Sequence, residues 1–218
     1  MALDHIVYKS PQRSRLIGRL NDGHGFKVLP GFKWNDQLLS EGVRFSNGPF
    51  IDVFDWPPAK APFKPLLAIE ADLADAEGAA QKQGWSFRVF RHRDVPVDER
   101  PPWSILSFTR GQGLVSSLFL IEYEDDPEAW RNKQFSGLLY ERSDRHRSSV
   151  ELTSVEILSA DVSESMSQLD KLAAAPMHLL KFKPATDARD DVGSIHFQAV
   201  GGEAMSLSLS NYDRFRGD

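Results

Sequence analysis

The chain contains no cysteine, and this absence excludes disulfide bonds, a thiolate nucleophile and a cysteine-ligated zinc site. Any metal must therefore be held by His, Asp or Glu. Long apolar runs are missing too: stretches such as Leu66 to Ile69 and Leu118 to Ile121 have the length of a strand, not of a membrane span. No charged head followed by an apolar signal core begins the chain, so we expect a cytoplasmic protein without a membrane partner.

An excess of positive charge is also absent. The 218 residues include 26 Lys and Arg against 31 Asp and Glu, a formal net charge of −5, which argues against a nucleic-acid partner. The basic stretch RSDRHR at 142–147 contains an acid and no aromatic residue, which is typical of a solvated linker. What is present is an ordinary globular composition with 41% hydrophobic residues.

Three stretches of the chain share one pattern. Each is a short apolar run rich in strand formers that ends in a polar residue able to cap a helix. The capping candidates are Ser10, Asp72 and Asp161, and the first two helix patterns end at Gly23 and Gly84. The three stretches read LDHIVYKSP, PLLAIEADL and LTSVEILSADV.

Each copy then returns to strands and closes on a hairpin-like pair. The predicted turns contain Asn47 with Gly48, Gly111 with Gly113, and Gly201 with Gly202. The repeated unit is strand, helix and about three strands, and at roughly 60 residues it is too small to bury both of its faces. We therefore expect an α+β fold in which repeated βαβββ units form curled mixed sheets around a cleft.

The linkers divide the chain into three parts. A proline-rich stretch, DWPPAKAPFKP, joins the first unit to the second and cannot hold a helix. We predict that paired units one and two occupy 1–125, that a linker with a short helix at 127–133 fills 126–149, and that a third βαβββ-like unit occupies 150–218.

The order of these units, the opening LDHIVY and the closing strands FIDVF and FLIEY resemble the vicinal-oxygen-chelate (VOC) superfamily, and its glyoxalase-like domain families in particular. The resemblance covers about Leu3 to Ser210. It implies a cleft between paired units that holds a divalent metal on ligands from the first and last strands of each unit. The activities it implies are those of a metal-dependent lyase, isomerase or dioxygenase.

Carried over by position, the resemblance places His5 at the first-strand ligand of unit one, Asp52 at its last-strand ligand and Glu122 at the last-strand ligand of unit two. The fourth position offers only apolar residues or proline at 65–67. One imidazole and two carboxylates suit Mn, Fe(II), Mg or Zn without selecting one. Either Asp52 or Glu122 would then double as the catalytic base.

Aromatic and basic residues near the proposed cleft predict a substrate pocket for a small molecule. The candidates are Trp34, Phe50, Trp103, Phe108, Arg44 and Arg110. Most of the aromatic residues could equally belong to the core. His5 has a second interpretation as well, because a lone strand histidine is commonly a buried core residue with a satisfied hydrogen bond.

Two other functions stay open. One is metal-free binding or sequestering of a small molecule, as in the bleomycin-resistance relatives of this superfamily. The other is an interaction role in which the third unit, left without a partner unit, docks against a second molecule. An odd number of units leaves an apolar sheet face that must be covered, so we expect a homodimer.

Overall fold

A computed structural model describes residues 2–34, 37–55, 64–97, 99–109, 111–124, 148–172, 178–186, 191–199, 202 and 204–209. The predicted helix at 127–133 and most of the predicted linker fall outside these residues.

The first two units have the predicted element order. In unit one the elements are β1 (Ala2–Ser10), α1 (Arg13–His24), β2 (Phe32–Trp34), β3 (Gln37–Arg44) and β4 (Phe50–Asp55). In unit two they are β5 (Leu66–Glu70), α2 (Leu73–Lys82), β6 (Phe87–Phe90), β7 (Trp103–Phe108) and β8 (Leu118–Tyr123). Unit two also contains the short 3-10 helices His92–Asp94 and Gly113–Ser117.

The two units share one continuous sheet of eight strands, in the order β2-β3-β4-β1-β5-β8-β7-β6. Within each unit the first strand pairs in parallel with the last, β1 with β4 and β5 with β8. The two first strands, β1 and β5, pair antiparallel at the centre and join the units. This arrangement confirms the predicted α+β fold with mixed sheets.

Helices α1 and α2 cover one face of this sheet. Leu16 and Leu20 of α1 and Leu73 of α2 belong to the buried core together with Ile6 of β1 and Leu67 of β5. The opposite face is the cleft described below. No helix of the described residues is both long and apolar enough to span a bilayer.

The start of α2 agrees with the sequence prediction. Asp72 accepts hydrogen bonds from the backbone N–H groups of Ala74 and Asp75 at 2.8 and 3.0 Å. Gly84, just beyond the helix, has a φ of 70°, in the left-handed region that favours glycine. Residues adjacent to α2 in the sequence therefore determine both where it starts and where it ends.

Helix α1 differs from its prediction at both ends. Ser10 is the last paired residue of β1, so the helix begins at Arg13 with Gln12 in the capping position and without a side-chain cap. It ends at Gly25, whose φ is 71°, and not at Gly23. The prediction failed because β1 remains extended through the residue that was expected to start the helix.

The third unit forms a separate four-stranded sheet. Its elements are β9 (Val150–Ser159), α3 (Val162–Lys171), β10 (Leu180–Pro184), β11 (Asp191–Ala199) and β12 (Ala204–Ser208). The predicted cap of α3 is present, since Asp161 accepts a hydrogen bond from the N–H of Glu164 at 3.0 Å. The order β10-β9-β11-β12 differs from units one and two, because β9 lies between β10 and β11.

The apolar face of the third unit is covered within the chain. Phe197 of β11 is buried and meets the rings of Phe26 and Phe45 of unit one at centroid distances of 5.3 and 6.2 Å. Asn47, in the turn after β3, exchanges two hydrogen bonds with the backbone of Leu152, at 2.9 and 3.0 Å. This face therefore packs within the chain and does not need a second molecule to cover it. The homodimer stays a prediction.

Candidate functional site

The open face of the eight-stranded sheet encloses a cavity of about 460 Å³, within the range typical of small-molecule pockets. The two units contribute different chemistry to it. The Asp, His, Lys and Arg side chains of the lining, Asp4, His5, Lys9, Arg44 and Asp52, all come from unit one. Unit two contributes a mainly apolar wall that includes Leu66, Trp103, Ile105, Phe119 and Ile121.

His5 lies in the middle of β1, on the cleft face, and is only 8% exposed. Its ring stacks on Phe50 at 4.6 Å with an interplanar angle of 22°, and it meets Phe119 edge-on at 5.4 Å. Residues from both units therefore fix the plane of the imidazole. His5 has features of both sequence interpretations, because it is buried and satisfied at one nitrogen and also lines the cavity.

Asp4 reaches the same cleft because β1 contains a β-bulge. The pairing of β1 with β5 shifts between Leu3, opposite Ile69, and His5, opposite Ala68, so Asp4 is the extra residue. Without the bulge, adjacent strand residues would point to opposite faces. Here Asp4 accepts at Oδ2 from His5 Nδ1 at 2.6 Å.

Tyr123 also binds this carboxylate. Its hydroxyl donates to the same Asp4 Oδ2 at 2.8 Å. Tyr123 is the last residue of β8, so the chain Tyr123–Asp4–His5 crosses from unit two to unit one. The carboxylate is thereby oriented before any ligand arrives.

Asp52 lies on β4 opposite Val7 of β1 and also lines the cavity. Burial raises the pKa of its carboxyl above the ordinary value of 3.8, and the nearby His5 and a hydrogen bond from Ser40 oppose that shift. A carboxyl of this kind favours its protonated form more than an exposed one. It can then donate a hydrogen bond as well as accept one.

Glu122 does not lie with His5 and Asp52, which corrects the predicted three-residue set. Its carboxylate accepts from the backbone N–H of Leu73, at the start of α2, at 3.4 Å. On β8 the cavity is lined by Leu118, Phe119, Ile121 and Tyr123 and not by Glu122, whose bond to the start of α2 places its side chain on the helix face. Its predicted roles as metal ligand and as catalytic base both required the cleft face.

The described side chains do not fit the implied divalent metal. They contain no group of three or more His, Cys, Asp or Glu residues placed to share one ion. Of the predicted ligands only His5 and Asp52 face the cavity, and one nitrogen of His5 is already engaged by Asp4. We therefore derive no chemistry through a metal at this site.

The predicted pocket residues are brought together in large part. Phe50, Trp103, Phe108 and Arg44 all line the cavity. Arg44 also donates from Nε to the carbonyl of Gly48 at 2.8 Å, which holds its side chain along β3. The side chain of Trp34 and the whole of Arg110 lie outside the described residues.

Sequence reasoning missed Asp4, Tyr123 and Phe119. An acid directly before His5 was visible in the sequence as a possible partner of the imidazole. Strand alternation, however, places neighbouring residues on opposite faces, so it predicts that Asp4 and His5 lie apart. Phe119 and Tyr123 lie on the cleft face of β8, and Glu122 lies on the opposite face. The predicted metal site required the reverse orientation of this strand. The aromatic pair of Phe32 with Trp103, at 6.4 Å, closes one end of the cavity.

Comparison with known proteins finds a likeness in fold. No protein-family model matches the sequence, and no curated protein matches it. Among solved structures, a hypothetical protein from Staphylococcus aureus has a TM-score of 0.59 at 11% identity and covers 91% of each chain. Methylmalonyl-CoA epimerase from Streptomyces coelicolor has a TM-score of 0.38 at 15% identity, over 56% of this chain and 97% of that one.

The paired βαβββ units, with β1 and β5 antiparallel at the centre of one sheet, define the class as an α+β protein with a cleft between repeated units. More particularly, two βαβββ units that share one sheet around a cleft are the arrangement that the resemblance to the vicinal-oxygen-chelate superfamily implied. At such low identities the likeness concerns the fold alone, and the activity must be argued from the cleft.

Proposed function

We propose that the protein binds a small, largely aromatic molecule in the cleft, with the polar end of that molecule held by unit one. The observation that carries the proposal is the division of the cavity between ionisable groups on one side and an apolar wall on the other. Such a division orients a ligand that has one flat apolar body and one hydrogen-bonding edge.

The apolar side supplies most of the binding free energy. Trp103, Ile105 and Phe119 present aromatic and branched surface to the cavity, and burial of a ligand ring against them removes apolar area from water at about 25 cal/mol per Å². Ring contacts of this kind accept many substituents. The wall therefore selects for shape more than for chemical identity.

The polar side supplies the orientation. Asp52 sits beside His5, and burial raises the pKa of the Asp52 carboxyl, so this pair can both donate to and accept from a ligand. Lys9 and Arg44 add positive charge along the same side. A heterocyclic N–H, a phenol or a small anionic group meets its complement there.

This proposal corresponds to metal-free binding of a small molecule, one of the functions that the sequence left open. It requires no third ligand, and the placement of Glu122 at the start of α2 does not affect it. Sequestering a molecule and transforming it both begin with this binding step.

Ligand-observed NMR with a set of aromatic fragments tests the proposal. Ser107 is exposed at the cavity rim, so Ser107→Trp should fill the cleft without disturbing the core. Thr153→Trp, at an exposed position of β9 away from the cavity, is the matched control. We expect saturation-transfer signals for fragments with a ring N–H or O–H in the wild type and in the control, and their loss in Ser107→Trp. Equal binding to all three proteins, or none to the wild type, would contradict the proposal.

A further inference from the structure

The chain Tyr123–Asp4–His5 has a feature that binding alone does not require. Both donors, the Tyr123 hydroxyl and His5 Nδ1, converge on one oxygen, Asp4 Oδ2, at 2.8 and 2.6 Å. A carboxylate that engages one ring nitrogen of a histidine fixes which nitrogen carries the proton. Here it assigns the proton to Nδ1 and leaves the lone pair on Nε2.

The imidazole is also held against rotation. The stack on Phe50 and the edge contact with Phe119 confine the ring between the two units. Within the described residues Nε2 makes no hydrogen bond, and His5 lines the cavity. An oriented imidazole with a basic nitrogen available in the cavity has the arrangement of a general base.

The bulge in β1 makes this arrangement possible. It leaves Asp4 as an extra residue outside the regular pairing with β5. It brings Asp4 to the same face as its neighbour His5, where regular alternation would separate them. Bulges are enriched next to active sites because they redirect side chains. The pairing of Asp4 with His5 therefore depends on an irregularity and not on the fold in general.

We propose that His5 is a general base that takes a proton from an aromatic or heteroaromatic molecule in the cleft, with Asp4 as its positioning residue and Tyr123 holding Asp4. This rests on the proposed function, since the molecule must first bind. The substrate class is a ring compound with an acidic C–H or O–H at its polar edge. The reaction needs neither an oxidant nor a metal.

The ring opening of nitrobenzisoxazole is a suitable probe, because a single proton transfer drives it. Nε2 of His5 takes the ring C–H proton, the released electron pair completes the nitrile, and the N–O bond breaks to leave a phenolate oxygen. The product is a coloured cyanonitrophenolate. The protonated imidazole then releases this proton to water, which restores neutral His5. The net products are the phenolate and one proton.

The test compares kcat/KM for this probe at pH 8 in the full chain and its variants. We expect His5→Gln to lose about 100-fold, in line with removal of a general base. His5→Phe, which retains a ring to stack on Phe50, should lose as much, and it guards against a folding defect in the first variant. His24→Gln, at an exposed histidine outside the cleft, should match the wild type.

Positioning by Asp4 is tested by the division between kcat and KM. Asp4→Asn should lower kcat about 10-fold and leave KM unchanged, because Asp4 acts by orienting the base. Tyr123→Phe should lower kcat by less. An Asp4→Asn variant with wild-type kcat would overturn the positioning role. Loss in Lys9→Gln with none in His5→Gln would assign the base to Lys9 and overturn the proposal.

Calorimetry with nitroindazole, which has the same shape but cannot open, separates the two proposals. If it binds the wild type and not Ser107→Trp, while His5→Gln and His5→Phe turn over the probe as fast as the wild type, the general base is overturned and the binding function stands. If nitroindazole does not bind and the probe is not opened, both proposals are overturned. Binding together with loss of turnover in both His5 variants is the result that we expect.

Discussion

Units one and two have the same strand order but contribute opposite chemistry to the cavity. Unit one presents Asp4, His5 and Asp52 on β1 and β4, whereas the corresponding strands of unit two, β5 and β8, present mainly apolar side chains. On the helix-covered face the units are alike, with apolar residues buried under α1 and α2. Repetition thus built the sheet, and the two copies differ in the side chains that they present to the cleft.

The helix starts show a second difference. α1 begins with Arg13, a buried cation that makes ion pairs with Glu41 and Asp55, both at 2.9 Å. α2 begins with the fully buried Leu73 and is capped by Asp72. The start of α1 is stabilised by ion pairs with residues distant in the sequence, whereas the start of α2 is stabilised by the neighbouring Asp72. The two helix starts should therefore respond differently to substitution.

The largest expected effect tests whether the helix-covered faces are equivalent. Ile51→Ala in β4 and Leu120→Ala in β8 both empty a fully buried site, so each should lower the free energy of unfolding by about 2–5 kcal/mol. Urea unfolding measures both. A near-neutral result for one of them would show that the units differ in their cores as well as at the cleft.

The next effect concerns the charged start of α1. Arg13 also donates to the carbonyls of Leu38 and Leu39, at 3.2 and 3.1 Å. Arg13→Met should cost about 2 kcal/mol, since it leaves these acceptors and Glu41 without their donor, and the remaining carboxylates are in part exposed. Thermal and urea unfolding give the value. No loss of stability would mean that the charge network is dispensable.

A smaller loss is expected at the capped start of α2. Asp72→Ala should lower the free energy of unfolding by about 1 kcal/mol, because two N–H groups lose their acceptor. Gln12→Ala is the matched variant in unit one, and it should change little because Gln12 makes no side-chain cap. Equal losses in the two variants would remove this contrast between the units.

The smallest effect has the opposite sign. Because burial raises the pKa of Asp52, the folded protein holds this proton at pH values where the unfolded chain has released it. Stability therefore falls as the pH rises above 3.8 toward the raised pKa, and the cost persists at higher pH. Asp52→Asn should melt at a higher temperature than the wild type at pH 8, and the two should converge near pH 4. A less stable Asp52→Asn at pH 8 would show that the carboxylate is stabilised in the fold.

Sequence reasoning recovered the repeat, because turn residues and capping residues such as Asp72 and Asp161 act locally. It misplaced Glu122 for a physical reason: Leu120 and Ile121 lie on opposite faces of β8, and both are apolar and buried, so the alternation does not identify the cleft side. Asp4 was missed because a single extra residue changes the phase of a strand, and no composition rule reports a bulge.

The covering of the third unit depends on contacts that are distant in the sequence. Phe197 packs on Phe26, and Asn47 binds the backbone of Leu152. The residue pair Asn47–Gly48 predicted a turn, and Gly48 does have a φ of 117°. The same asparagine then serves a second purpose that a turn pattern does not encode.

The most direct test of the asymmetric cleft is a crystal structure of the wild-type protein with nitroindazole bound. We expect the ring to lie against Ile105 and Phe119 of unit two, with its N–H edge within hydrogen-bonding distance of His5 or Asp52 of unit one. A ligand bound with its polar edge toward the unit-two wall, or bound outside the cavity, would contradict the claim that unit one holds the polar edge and unit two the apolar ring.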